Sequence, residues 1–179
     1  MSLMDLSPIG REPMRLPTPI RLLFGLLLLG IVLNLLPWGG ALLRLRPDFL
    51  LIVLLYCAVH EPRDIGQGWG FFLGLLMDVA DSVLLGEHAF VYVASIFIVQ
   101  LLRRRILHLR ILEQALHIGA ILLLAQLLTI LLNYSLGREF GGWLMLLAPI
   151  LGALLWPVLD FIATVIRQRQ STRTQLNSK

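Results

Sequence analysis

Apolar residues fill most of the chain in six long runs, which short polar or Gly/Pro-rich stretches separate. The runs cover residues 20–37, 48–60, 66–79, 89–102, 112–136 and 143–166. The stretches at 61–64, 85–88 and 137–142 carry the Pro, Gly and charged residues that end regular elements. The last two runs are long enough to cross a bilayer with some tilt. This pattern predicts an all-α fold of six helices.

The composition places these helices in a membrane. The chain has 179 residues, is 58% hydrophobic and only 15% charged, and has a mean hydropathy of +0.83. These values lie outside the range of soluble domains and leave no room for a separate one. We expect a leader at 1–19, a six-helix transmembrane domain at 20–166 and a basic tail at 167–179. Cys57 lies in an apolar run, so neither a disulfide nor a Cys/His metal site is expected.

The basic residues predict the orientation. If the N-terminus is cytoplasmic, twelve of the fifteen Lys and Arg residues fall in cytoplasmic segments, which is a positive-inside distribution. Both termini are therefore expected in the cytoplasm of a multi-pass protein. The net charge of +4 and the pI of about 10.0 are explained by anionic lipid headgroups, so no nucleic-acid partner is implied.

One face of the third helix carries a distinctive pattern. Gly66, Gly70, Gly74 and Asp78 recur every four residues, and this spacing aligns them along one side of a helix. Small residues at such spacing allow two membrane helices to approach closely. The face serves either packing within the bundle or docking of another protein. Three roles are open for the Asp78 carboxylate: a member of a structural ion pair, part of a surface for a partner, or a site of ion transport.

The second helix is too short for a simple span. Its 13 residues extend about 20 Å, against a hydrocarbon core of about 30 Å. Either residues 41–47 dip into the membrane or the bundle buries the start of the helix. Arg46, Pro47 and Asp48 are typical of a helix start, although a partner-binding role is equally open. Helix rise places Arg46 and Asp78 at similar depth, which predicts a direct or water-bridged contact between these two charges.

Two further polar features are candidates for packing or binding. Gln126, Thr129 and Asn133 share one face of the fifth helix, where they line a ligand pocket or hydrogen-bond to a neighbouring helix. Asp160 is expected near the cytoplasmic interface, beside Arg63 or the Arg103–Arg105 cluster. The chain contains no nucleotide-binding loop, nucleophile elbow or metal-ligand cluster, so neither enzymatic activity nor a cofactor is expected.

Several short motifs carry a family resemblance that covers nearly the whole chain. They are RPDFLL (46–51), HEPR (60–63), IGQGW (65–69), GLLMD (74–78), LGxHA (85–89) with Tyr92, and WPxxD (156–160), where x is any residue. Together with the size and the six-helix pattern, these motifs resemble the MreD family of rod shape-determining membrane proteins. The longer proline-rich leader and the basic tail depart from the family pattern.

The resemblance implies a non-catalytic inner-membrane scaffold of the bacterial cell-elongation complex, needed for rod shape and sidewall peptidoglycan synthesis. Such a protein acts with MreC, and through it with MreB filaments, RodA and a class B penicillin-binding transpeptidase. The resemblance also implies a fold similar to the S-components of energy-coupling-factor transporters. The alternative function is therefore a membrane subunit that binds or imports a vitamin-like small molecule. An ion carrier would depend on Asp78 alone.

Overall fold

The computed structural model describes residues 20–138 and 142–177, and every regular element in these ranges is helical. The predicted leader at 1–19 lies outside the described residues. In chain order the elements are α1 (Ile20–Leu35), α2 (Ala41–Leu45), α3 (Phe49–His60), α4 (Gln67–Ala80), α5 (Glu87–His108), α6 (Ile111–Ser135), a 3₁₀ helix (Trp143–Leu147) and α7 (Ala148–Asn177). The all-α prediction is confirmed, and α2 is the only α-helix among them with fewer than ten residues.

The short helix α3 occupies the centre of the bundle. Residues 50–59 are all buried, because α1, α5 and α7 pack around the helix. Its 12 residues extend only about 18 Å, yet the surrounding helices cover its full length. The backbone N–H and C=O groups at the ends of a central helix do not need to reach water if they hydrogen-bond within the protein. The short second run is therefore a core helix, and the bundle buries its start.

The remaining long helices expose large apolar side chains at the perimeter. Examples are Leu28 on α1, Phe72 on α4, Leu101 on α5, Leu116 on α6 and Phe161 on α7, each more than 60% exposed. Two segments, Ile111–Ser135 and Trp143–Ile166, are long and apolar enough to cross a membrane. Because exposing so much contiguous apolar surface to water is unfavourable, the perimeter fits a lipid environment.

Three helix boundaries differ from the expectation. Helix α5 continues to His108, so the basic cluster Arg103–Arg105 lies on a helix instead of in a loop. Helix α7 continues to Asn177, well into the predicted tail. The segment before α3 contains its own short helix, Ala41–Leu45. The first two differences arise because residues of good helix propensity, mainly Arg and Gln, extend an apolar helix at little cost once it has nucleated.

Candidate functional site

The glycine face of α4 lies directly against the start of α5. A Cβ atom added at Gly74 would stand 2.3 Å from the Ala89 Cα atom, and one added at Gly70 would stand 2.4 Å from the Ile96 side chain. By contrast, Gly66 precedes the helix as its N-cap, and a Cβ there meets only ordinary contacts. At Gly70 and Gly74 the absence of side chains therefore sets the distance between α4 and α5.

Asp78, one turn beyond Gly74, is completely buried and bonds to the first turn of α5. Its carboxylate accepts hydrogen bonds from the backbone N–H groups of Gly86 and His88, both at 2.7 Å. The His88 ring Nδ1 lies 3.0 Å from the same carboxylate. The N–H groups that begin a helix have no partner within it and carry partial positive charge. Asp78 thus caps α5 from a neighbouring helix.

The direct contact predicted between Arg46 and Asp78 is not formed. The Arg46 guanidinium lies 3.7 Å from the Asp81 carboxylate, in the turn that follows α4, and donates a hydrogen bond to the Asn34 carbonyl. His88 links the two acids, because its Nε2 lies 3.8 Å from Asp81 while its Nδ1 faces Asp78. We call Arg46, Asp78, Asp81 and His88 the Asp78 cluster. Arg46 is thus paired directly with Asp81, and His88 stands between that pair and Asp78.

The start of α3 is held by side chains in the same region. Asp48 is the N-cap of α3 and accepts the Leu51 N–H at 3.0 Å. Asn34 of α1 donates to the Asp48 carboxylate at 2.8 Å and accepts the Phe49 N–H at 3.0 Å. These bonds satisfy two N–H groups that a buried helix start would otherwise leave unpaired. They are consistent with the helix-start interpretation of Arg46, Pro47 and Asp48.

A cavity of about 230 Å³ lies beside this helix start. Its polar wall includes Arg46, Asp48, Tyr92, Gln126 and Thr129, and its remaining wall comes mainly from apolar residues of α3, α5, α6 and α7. The polar face predicted on α6 therefore lines cavities: Gln126 and Thr129 line this one, and together with Asn133 they also line a second cavity of about 710 Å³. Asn133 bonds to α5 as well, donating to the buried Glu87 carboxylate at 2.6 Å.

A second polar cluster lies at the opposite end of α3. The His60 Nε2 stands 3.7 Å from the Asp160 carboxylate, and its ring lies 6.3 Å from the Trp156 ring. The Trp156 indole is buried and donates to the Gln114 side-chain oxygen at 3.3 Å. Asp160 thus contacts His60, whereas Arg63 or the Arg103–Arg105 cluster had been expected. The motifs at 60–63 and 156–160 are brought together here across α3 and α7.

Sequence reasoning missed several members of these clusters. Asn34 lies alone in a leucine-rich helix, and this isolation was the one signal that could have identified it. Asp81 and His88 flank a turn, where charged residues ordinarily face water. Glu87 is buried although it begins a helix, and the Arg138 guanidinium lies 3.2 Å from it. Their roles depend on which helices are neighbours, which local spacing does not reveal.

Comparison with known proteins agrees with the motif resemblance. Residues 14–164 match the family model described as rod shape-determining protein MreD. A rod shape-determining protein MreD from Haemophilus influenzae is 31% identical over 141 residues, which cover 79% of this chain and 87% of the relative. No solved structure matches.

Proposed function

Because the chain belongs to the MreD family of rod shape-determining membrane proteins, we propose that it is a non-catalytic scaffold of the cell-elongation complex in the bacterial inner membrane. In this role it supports sidewall peptidoglycan synthesis by holding other membrane components in place. The family assignment establishes the part in shape determination. The scaffold mechanism is supported by how the polar residues of the bundle are used.

The bonding of Asp78 is the observation that carries this proposal. An ion or proton carrier needs an acid that water or ions can reach and that changes partners during transport. The Asp78 carboxylate is fully buried and holds two backbone N–H groups at the start of α5. Its charge thus fixes the position of one helix against another. This arrangement favours a structural role over transport.

We further propose that the partner is MreC and that it docks by lateral packing in the membrane. The exposed apolar side chains of α1, α4, α5, α6 and α7 offer surface on which a single membrane-spanning helix can pack. Helix packing in lipid depends on close shape fit, which a rigid bundle supplies. Through MreC the protein would connect to MreB filaments, RodA and a class B penicillin-binding transpeptidase.

The proposed topology has six spans, with both termini in the cytoplasm. It divides the chain into a leader (1–19), the membrane domain (20–166) and a basic tail (167–179). In this topology the Asp78 cluster lies toward the outer side, and His60 and Asp160 lie toward the cytoplasm. The basic cluster Arg103–Arg105 would then meet the anionic lipids of the inner leaflet.

Affinity purification tests the scaffold proposal. The tagged chain is isolated from a rod-shaped host in mild detergent, and the co-purifying proteins are identified by mass spectrometry. We expect MreC. Single alanine substitutions at the exposed residues Phe72, Phe97 and Phe161 leave the core untouched, so a loss of MreC in one of them marks the docking face. Capture without MreC from cells that produce it would contradict the proposal.

A small-molecule binding or uptake subunit with an S-component-like fold is the alternative. The cavity lined by Gln126 and Thr129 favours it, because uptake subunits enclose their ligand among convergent polar groups. Such a subunit would co-purify with a transmembrane coupling protein and a pair of ATPases. The same mass-spectrometry experiment therefore separates the two functions.

A further inference from the structure

The cavity beside α3 contains a buried polar group that the described part of the chain leaves without a hydrogen bond. Tyr92 lines the cavity, and its ring and hydroxyl are completely buried. The hydroxyl lies close to the Asp48 carboxylate but makes no hydrogen bond of acceptable geometry within the described residues. A buried hydroxyl without a partner costs about 1–3 kcal/mol. Such a group in a cavity wall is available to bond to a molecule that enters the cavity.

The charges around the cavity favour a cation. Asp48 is the carboxylate that lines the cavity, beside Arg46 and His88. Two further carboxylates, those of Asp78 and Asp81, lie against these two basic residues but do not line the cavity. Arg46 is directed to the Asn34 carbonyl and to Asp81, and His88 contacts Asp78 and Asp81. The hydrogen bonds to Asp48 come from neutral groups, the Asn34 amide and the Leu51 N–H. The carboxylate on the cavity wall is therefore the one without a cation within 4 Å among the described residues.

The remaining polar groups match the hydrogen-bonding capacity of an ammonium ion. An alkylammonium carries three N–H donors and no acceptor. The Asp48 carboxylate, the Tyr92 hydroxyl oxygen and the Gln126 carbonyl oxygen are three acceptors on the same cavity wall. Val91, Leu122 and other apolar side chains complete the lining and suit a short hydrocarbon stem.

We propose that this cavity binds a primary alkylammonium group, with Asp48 as its counter-ion and Tyr92 and Gln126 as hydrogen-bond acceptors. The group can belong to a free amine, a lysine side chain of a partner or an aminophospholipid headgroup. All three share the same chemistry. The proposal does not depend on the scaffold function, because it requires only the folded chain.

Saturation-transfer NMR on the full-length protein in deuterated detergent tests the site. The probe is propylammonium, and 1-propanol and propanoate are its neutral and anionic controls of similar size. We expect saturation transfer to propylammonium with a dissociation constant of about 1 mM, as suits a four-heavy-atom ligand. Neither control should show a comparable signal.

Matched variants assign the contacts. Asp48→Asn keeps an equally good N-cap for α3 but removes the charge, so propylammonium binding should weaken about tenfold or more. Tyr92→Phe removes only the unbonded hydroxyl and should weaken binding about threefold to tenfold without lowering the thermal midpoint. Tyr134→Phe, at a tyrosine that is 76% exposed and outside the cavity, is the control and should bind normally.

The outcomes are distinct. Equal binding of 1-propanol, or unchanged propylammonium binding in both Asp48→Asn and Tyr92→Phe, would overturn the ammonium site. If Asp48→Asn fails to fold, Tyr92→Phe alone decides. When propylammonium binds as expected, competition identifies the natural source. Stronger binding of Nα-acetyl-lysine methylamide indicates a partner's lysine, stronger binding of glycerophosphoethanolamine indicates a lipid, and weaker binding of both indicates a free amine.

Discussion

Replacing Gly74 with alanine should separate α4 from α5. The added Cβ would stand 2.3 Å from the Ala89 Cα and 2.6 Å from the Ala89 nitrogen, whereas ordinary contacts begin at 3.4 Å. Both neighbours are backbone atoms, which cannot rotate away as a side chain can. The two helices must therefore move apart by about 1 Å, which costs about 1–3 kcal/mol by analogy with overpacked cores.

The same movement would disrupt the cap of α5. The two N–H bonds to Asp78 are 2.7 Å long, so a further 1 Å takes them beyond hydrogen-bond distance. Hydrogen bonds to charged groups contribute about 1.5–3 kcal/mol each, while the better helix propensity of alanine returns about 1 kcal/mol. We expect Gly74→Ala to lower the free energy of unfolding by about 3 kcal/mol or more.

Unfolding in mixed micelles with increasing SDS, followed by circular dichroism, measures this loss. Gly68→Ala is the matched control. Gly68 lies on the same helix as Gly74, but a Cβ added there would have no neighbouring atom within 4 Å. It should leave stability unchanged or raise it by up to about 1 kcal/mol. A loss of less than about 1 kcal/mol at Gly74, or an equal loss at Gly68, would refute the close-packing argument.

The ion-pair assignments and the topology give two further predictions. In double-mutant cycles, Arg46→Gln should couple to Asp81→Asn by about 0.5–1 kcal/mol in the free energy of unfolding, and less strongly to Asp78→Asn; stronger coupling to Asp78 would reinstate the pair expected from helix rise. In a Cys57→Ala background, cysteines at positions 5 and 175 should resist a membrane-impermeant thiol reagent in intact cells, while one at position 139 reacts. Labelling at either terminus would exclude the six-span topology.

The helices and the close-packed face could be predicted because both depend on local order along the chain. Apolar runs interrupted by turn residues located the six described helices of ten or more residues, with the largest boundary errors at the ends of α5 and α7. The four-residue spacing of Gly70 and Gly74 places them on one face of the helix, and this holds regardless of which helix packs against that face. Asp48 was likewise identifiable as part of a helix start from its position after Pro47. In each case the spacing of residues within one helix carries the information.

The partners of the buried charges were decided by the tertiary structure. Helix rise gives the depth of Arg46 and Asp78 but not their direction around the helix axis or the identity of the adjacent helix. Packing of α4 against α5 brings the free N–H groups of Gly86 and His88 to Asp78, and the turn after α4 carries Asp81 to Arg46. A buried charge selects whichever complementary group lies nearest in space. The sequence therefore identified Arg46 and Asp78 as charges within the bundle, whereas the lateral arrangement of the helices decided how they pair and that Glu87 is buried.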